Sequence, residues 1–146
     1  MKCRLFELTC TLKSFTHFLI RLEKYISCFR KVIDNSEKAA QALEHLSQFW
    51  STSEIRQVMI CDKLLTYRVV DHLSIVNWVF MQEKNFTKNF LWQILTNTVN
   101  TMADRARLCE SEIEKTTEEE RKNLLEGALQ NANKELRELF LMIFQV

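Results

Sequence analysis

Proline is absent from this chain of 146 residues, and glycine occurs once, at Gly127. Strand edges, tight hairpins and Gly-rich phosphate loops rely on those residues, so their lack argues against an all-β fold and against a nucleotide loop or a G-x-S-x-G nucleophile elbow. An excess of charge of one sign is also missing: 20 Lys and Arg stand against 19 Asp and Glu, a net charge of +1 that points to no polyanionic partner. No apolar run reaches the 18 residues a bilayer-spanning helix needs, and Lys2, Arg4 and Glu7 interrupt any secretory core at the N-terminus. The chain therefore reads as soluble and intracellular. Its cysteines (Cys3, Cys10, Cys28, Cys61, Cys109) are odd in number and lack C-x-x-C or other metal-ligand spacing, which suits reduced thiols. His17, His45 and His72 are far apart, so no metal, cofactor or catalytic residue is expected, and the protein reads as a non-enzyme.

What the chain does have is Leu, Glu, Lys, Arg, Gln and Ala in abundance, all good helix formers. Leu12, Phe15, Leu19, Leu22, Ile26, Phe29 and Ile33 alternate in steps of three and four, the stripe of one amphipathic helix. Asp34-Asn35-Ser36 interrupts it, and Ser36 is the expected cap of a second helix burying Ala39, Leu43, Leu46 and Trp50. Ser51 and Glu54 form a capping box for a third, with Ile55, Val58, Met59 and Leu65 inward. Asp71 caps a fourth, carrying Ile75, Val76, Trp78, Val79 and Phe80 and expected in the middle of the stack. Asn85 and Thr87 introduce a long fifth helix with Phe90, Leu91, Ile94, Leu95, Val99 and Met102 inside, continuing through Ala106, Cys109 and Ile113.

Thr116 and Thr117, each followed three residues later by Glu, cap a last helix and place a turn near 114–117. Leu125, Leu129, Ala132, Leu136, Leu139 and Ile143 then repeat the stripe, so these helices should zip as an antiparallel coiled-coil-like hairpin. The fold class is all-α: antiparallel hairpins stacked in the manner of HEAT or armadillo repeats, about six helices in all. Residues 139–144 are apolar on every side, so such a helix either plugs the core of this chain or, the favoured expectation, is covered by a further helix pair or a partner.

Trp50, Trp78 and Trp92 could offer stacking platforms for bases, but their apolar surroundings favour core packing. Asp62, which interrupts a buried stripe, reads as an edge residue paired with a base rather than as a tuned carboxylate. Asn85-Phe86-Thr87 fits a glycosylation acceptor and keeps a second reading open, a secreted four-helix cytokine-like signalling protein. A degenerate fragment without independent function is a third.

Two stretches go beyond helix grammar: Val69-Val70-Asp71 running into Asn77-Trp78-Val79-Phe80, and Phe86-Thr87 followed by Phe90-Leu91-Trp92-Gln93-Ile94-Leu95. They resemble the I/V-V-D, N-W-I/V-F and F-T-x-x-F-x-W-x-I-L series in the last helical domain of the large subunit of the nuclear cap-binding complex. Leu139-Phe140-Leu141-Met142-Ile143-Phe144-Gln145 is similar to that family's L-F-L-x-I-F-Q, so the resemblance covers residues 12–145 and leaves 1–11 unmatched. It implies a fold of the kind found in the middle domain of initiation factor 4G, present in part over 12–146. It also implies a non-catalytic role: supporting a small RNA-recognition-motif subunit that itself binds the capped 5′ end of mRNA. Capped RNA is then contacted indirectly, with no membrane and no small-molecule substrate. Splicing, export, nonsense-mediated decay and RNA-mediated silencing are the implied processes, and the nucleus, with shuttling to the cytoplasm, the implied location. Because the cap-gripping aromatics belong to the small subunit, no cap site is carried over. The matched residues Asp71, Asn77, Trp78, Phe80, Phe86, Phe90, Trp92, Leu95, Phe140 and Phe144 are expected to serve structure.

Overall fold

The computed structural model describes residues 14–82 and 87–144. Among them every regular element is an α-helix: α1 (Phe15–Lys24), α2 (Ile26–Val32), α3 (Ser36–Phe49), α4 (Glu54–Thr66), α5 (His72–Met81), α6 (Asn89–Lys115) and α7 (Glu119–Phe144). They fall into two compact units, residues 1–95 and 96–146, with the boundary inside α6.

In the first unit, Ser14 accepts from the His17 amide at 3.3 Å and so caps α1. The first stripe does not form a single helix. Tyr25, at φ −108° and ψ 18°, closes α1 by donating its amide to Arg21, and its carbonyl opens α2 by accepting from Cys28 and Phe29. That break makes seven described helices where six were expected. Phe18, Leu22, Phe29 and Ile33 form the buried face, while Phe15, Leu19 and Ile26 are half-buried. Leu12 lies outside the described residues. Phe18 and Leu22, four apart, share one face of α1.

Asn35, not Ser36, caps α3: its side-chain oxygen accepts from the Lys38 amide at 2.9 Å. The extended Asn35 backbone sets that geometry and leaves Ser36 as the first helical residue. Ala39, Leu43, Leu46 and Trp50 are buried as the pattern requires, with Ala42 added. Phe15 and Phe18, at the start of α1, meet Trp50 edge-on at 5.7 and 6.3 Å, so the start of one helix lies against the end of the other, as in an antiparallel pair.

The expected capping box at Ser51 and Glu54 does not form. A turn in which the Ser53 amide donates to the Trp50 carbonyl at 2.9 Å delays the start of α4 to Glu54, and Ser53 becomes a cap without a side-chain hydrogen bond. The delay rotates the buried face onto Gln57, Val58, Ile60, Cys61, Leu64 and Leu65. Val58 and Leu65 are inside as expected, but Ile55 and Met59 face solvent at 73% and 41% exposure. At its far end the Arg68 amide donates to Leu65 and the Val69 amide to Leu64, a Schellman closure with Arg68 in the left-handed region at φ 52°.

Asp71 caps α5 as the sequence indicated, accepting from the Ser74 amide at 3.3 Å and from the Ser74 hydroxyl. Ile75, Val76, Trp78 and Val79 are buried and Phe80 is half-buried. The helix that meets both α4 and α5 is α3.

Along α6 the buried positions are Phe90, Leu91, Ile94, Leu95, Thr98, Met102 and Ala106, with Val99, Cys109 and Ile113 half-buried. In the second unit α6 and α7 are joined by residues 116–118. The Thr116 hydroxyl turns back to the Glu112 carbonyl at 2.7 Å, and the Glu118 carbonyl receives the Lys122 amide. The cap position therefore belongs to Glu118, one or two residues beyond the threonine boxes. Ala132 and Leu139 are buried on α7, while Leu125, Leu129, Leu136 and Ile143 are half-buried.

Candidate interaction surface

The polar centre of the first unit is Glu44 on α3. Its carboxylate accepts from Gln48 at 2.9 Å, from the Trp78 indole at 3.1 Å and from Gln82 at 3.0 Å, tying α3 to α5 and the residue that closes it. Burial alone would raise the Glu44 carboxyl, but the donors Gln48, Trp78 and Gln82, helped by His45, outweigh it and hold the group below its ordinary range. Beside it Gln57, itself buried, accepts from the Ser47 hydroxyl at 2.8 Å and donates to the Trp50 carbonyl at 3.1 Å. These bonds join α3 to α4. No local sequence signal marked Glu44 or Gln57, because Ser47, Trp50, Trp78 and Gln82, which cross-tie them, lie 7 to 38 residues away.

Other polar groups also hold elements together. Tyr67 donates its hydroxyl to Glu23, which keeps the phenol above its usual range, and Arg30 reaches the Tyr67 carbonyl at 2.9 Å. Cys61 is fully enclosed, and burial, with a smaller push from Asp62, raises its thiol to about 12. Asp62 itself is half-buried, and its carbonyl accepts from the Thr66 hydroxyl. Among the described residues no group of three or more His, Cys, Asp or Glu side chains could hold a metal ion.

The residues singled out by resemblance divide by burial. Trp78 and Leu95 are inside and Phe90 is 8% exposed. Asp71 and Asn77 are on the surface, Asp71 as a cap. Trp92 corrects the core assignment made for all three tryptophans, since it is 52% exposed whereas Trp50 and Trp78 are buried. Its position, one residue beyond Leu91 on the stripe, turns the indole off the buried face of α6. In the second unit Phe140 and Phe144 stack with ring centroids 6.0 Å apart and both are exposed, Phe144 to 79%. Asn85 and Phe86 lie outside the described residues.

Several of the exposed apolar side chains fall into two groups, while others, such as Ile20, Met81, Leu108 and Leu124, lie elsewhere. One is the depression on α7 lined by Asn133, Leu136, Arg137, Phe140, Leu141 and Phe144. The other is the turn between α3 and α4, where Phe49, Ile55 and Met59 are exposed beside Arg56. The stack of helices is cross-tied by the half-buried Glu44 carboxylate and the buried Gln57 amide, and it carries exposed apolar side chains.

Such a stack is a helical-repeat scaffold, and residues 8–146 match the MIF4G like family, to which this chain belongs. Its all-helical architecture is the one that family implies. Among its relatives is nuclear cap-binding protein subunit 1 of Arabidopsis thaliana, 32% identical over 129 residues, which cover 85% of this chain and 15% of the relative. The human nuclear cap-binding protein subunit 1 is 25% identical over 159 residues, 91% of this chain and 20% of that protein. Nuclear cap-binding protein subunit 1-A of Xenopus laevis is 24% identical, with 91% and 20% covered. The chain thus spans a fifth or less of the length of these relatives. Family membership also sets aside the cytokine-like bundle. No helix among the described residues is long and apolar enough to cross a membrane.

Proposed function

We propose that this chain is a non-catalytic scaffold of the cap-binding large-subunit kind, acting in the nucleus by supporting a small RNA-recognition-motif subunit that grips the capped end of RNA. The observation that carries this reading is the family match over residues 8–146, together with relatives whose names place them in the nuclear cap-binding complex. Splicing, export, decay and silencing would follow from the assembly, with shuttling to the cytoplasm as its consequence. Within that reading Asp71, Asn77, Trp78, Phe80, Phe86, Phe90, Trp92, Leu95, Phe140 and Phe144 serve structure, and no cap site is assigned to them.

Coexpression of the full chain with a cap-binding small subunit, followed by capture on methylguanosine resin, tests the proposal. Recovery of both proteins, eluted together by free cap analogue and lost when the small subunit is omitted, is the expected result. A soluble, folded chain that stays in the flow-through while the small subunit binds would sink it and favour a product without this role.

A further inference from the structure

Arg56 occupies an unusual position. Its guanidinium carbon lies 4.8 Å from the centre of the Trp50 ring and 5.9 Å from that of Phe15. A guanidinium over a ring face at this distance is attracted by the ring's π-electrons, and it donates hydrogen bonds only along its edges. Among the described residues no carboxylate or carbonyl accepts from those edges. Arg56 also stands in the first turn of α4, where the helix dipole disfavours a cation. The fold gains the ring contacts from it, and among the described residues its hydrogen-bonding edges have no acceptor.

The surroundings are apolar and open. Phe49 meets Trp50 edge-on at 5.1 Å and is 47% exposed, and Ile55 and Met59, four residues apart on α4, share one face. One oriented cation set among exposed apolar side chains complements a carboxylate flanked by aliphatic or aromatic groups. Nucleic acid fits less well, because its affinity comes from neutralising many phosphates and this patch holds a single fixed guanidinium.

We propose that the Arg56 patch at the α3–α4 turn is a docking site for an acidic, apolar linear segment of a partner protein. A carboxylate of the segment takes two N–H bonds from Arg56, and the neighbouring side chains cover Phe49, Ile55 and Met59. The proposal rests on this patch alone and stands whether or not the reading as a support for a small RNA-binding subunit holds.

The test titrates the full chain into a panel of fluorescein-labelled synthetic peptides in which Glu alternates with Leu and Phe. Two twins of each serve as controls, one with Lys for Glu and one with Ser for Leu and Phe, and binding is read by anisotropy. Only the acidic-apolar peptides should bind. Arg56→Gln should weaken them about tenfold or more, Arg56→Lys nearly as much, and the double change Ile55→Ser with Met59→Ser should also weaken them. Because all these positions are exposed or half-stacked, circular dichroism should show the variants folded. Equal binding of the Lys twins, unchanged affinity in Arg56→Gln, or no binding across the panel would overturn the proposal. So would a concentration-dependent dimer in sedimentation that Arg56→Gln abolishes, since the occupant would then be a second copy of the chain.

Discussion

The indole N–H of Trp78 donates to Glu44 across 3.1 Å, so a residue recognised by its sequence motif is held by one that no motif announced. The partly buried carboxylate also receives Gln48 and Gln82. Replacing Glu44 with Leu leaves the Trp78 donor without its acceptor and should cost about 1–3 kcal/mol in urea unfolding at neutral pH.

The same group sets a pH dependence. Its folded pKa is depressed, so its contribution is complete above the ordinary value of 4.5 and is lost as the pH falls through the folded value. The stability gap between wild type and Glu44→Leu should therefore narrow below about pH 4.5 and stay constant above it. A gap that widens on acidification would show that the carboxylate is not the stabilised form.

Arg68 holds a left-handed conformation at φ 52°, where an L side chain is disfavoured by roughly 1–2 kcal/mol and glycine is not. Arg68→Gly should raise stability by about 0.5–1 kcal/mol after the extra entropy glycine loses on folding. Arg68→Val should lower it, because a β-branched residue tolerates that region poorly. Thermal melts of the two variants should bracket the wild type.

Gly127 lies within α7, and a Cβ added there meets nothing within 4 Å. Gly127→Ala should stabilise the helix by about 1 kcal/mol, read as a higher midpoint in circular dichroism.

Cys61 is enclosed and its thiol is raised to about 12, whereas Cys28 is exposed. At neutral pH a thiol reagent should modify Cys28 in the native chain and reach Cys61 only on unfolding, as peptide mapping by mass spectrometry would show. Native labelling of Cys61 at the rate of Cys28 would contradict the enclosure.

Much of this fold was legible because helix periodicity and caps are local. Asp71 as a cap and the buried set Ala39, Leu43, Leu46 and Trp50 follow from local pattern alone. What was not legible depends on a degree of rotation or on a distant partner. Competing cap residues stood side by side at Asn35 and Ser36, and both capped geometries were chemically available. A two-residue delay before α4 was enough to expose Ile55 and Met59 and to bring in Gln57, whose amide is acceptable inside only because Ser47 and the Trp50 carbonyl satisfy it. Trp92 shows the limit of composition: a large apolar residue in an apolar segment was assigned to the core, yet its angle on α6 puts it on the surface. The stacking of Arg56 on Trp50 could not be read at all, since it depends on how the turn between their helices folds.

The short link at residues 116–118 has a kinetic consequence. Closing so small a loop loses little chain entropy, so pairing of α6 with α7 should begin at that end and proceed outward. Substitutions near the turn, such as Leu125→Ala, should then slow refolding, whereas Leu139→Ala, at the distal end, should mainly hasten unfolding. Stopped-flow chevrons of the two variants would separate these effects. The order in which the hairpin assembles would thus be written into which limb each change moves.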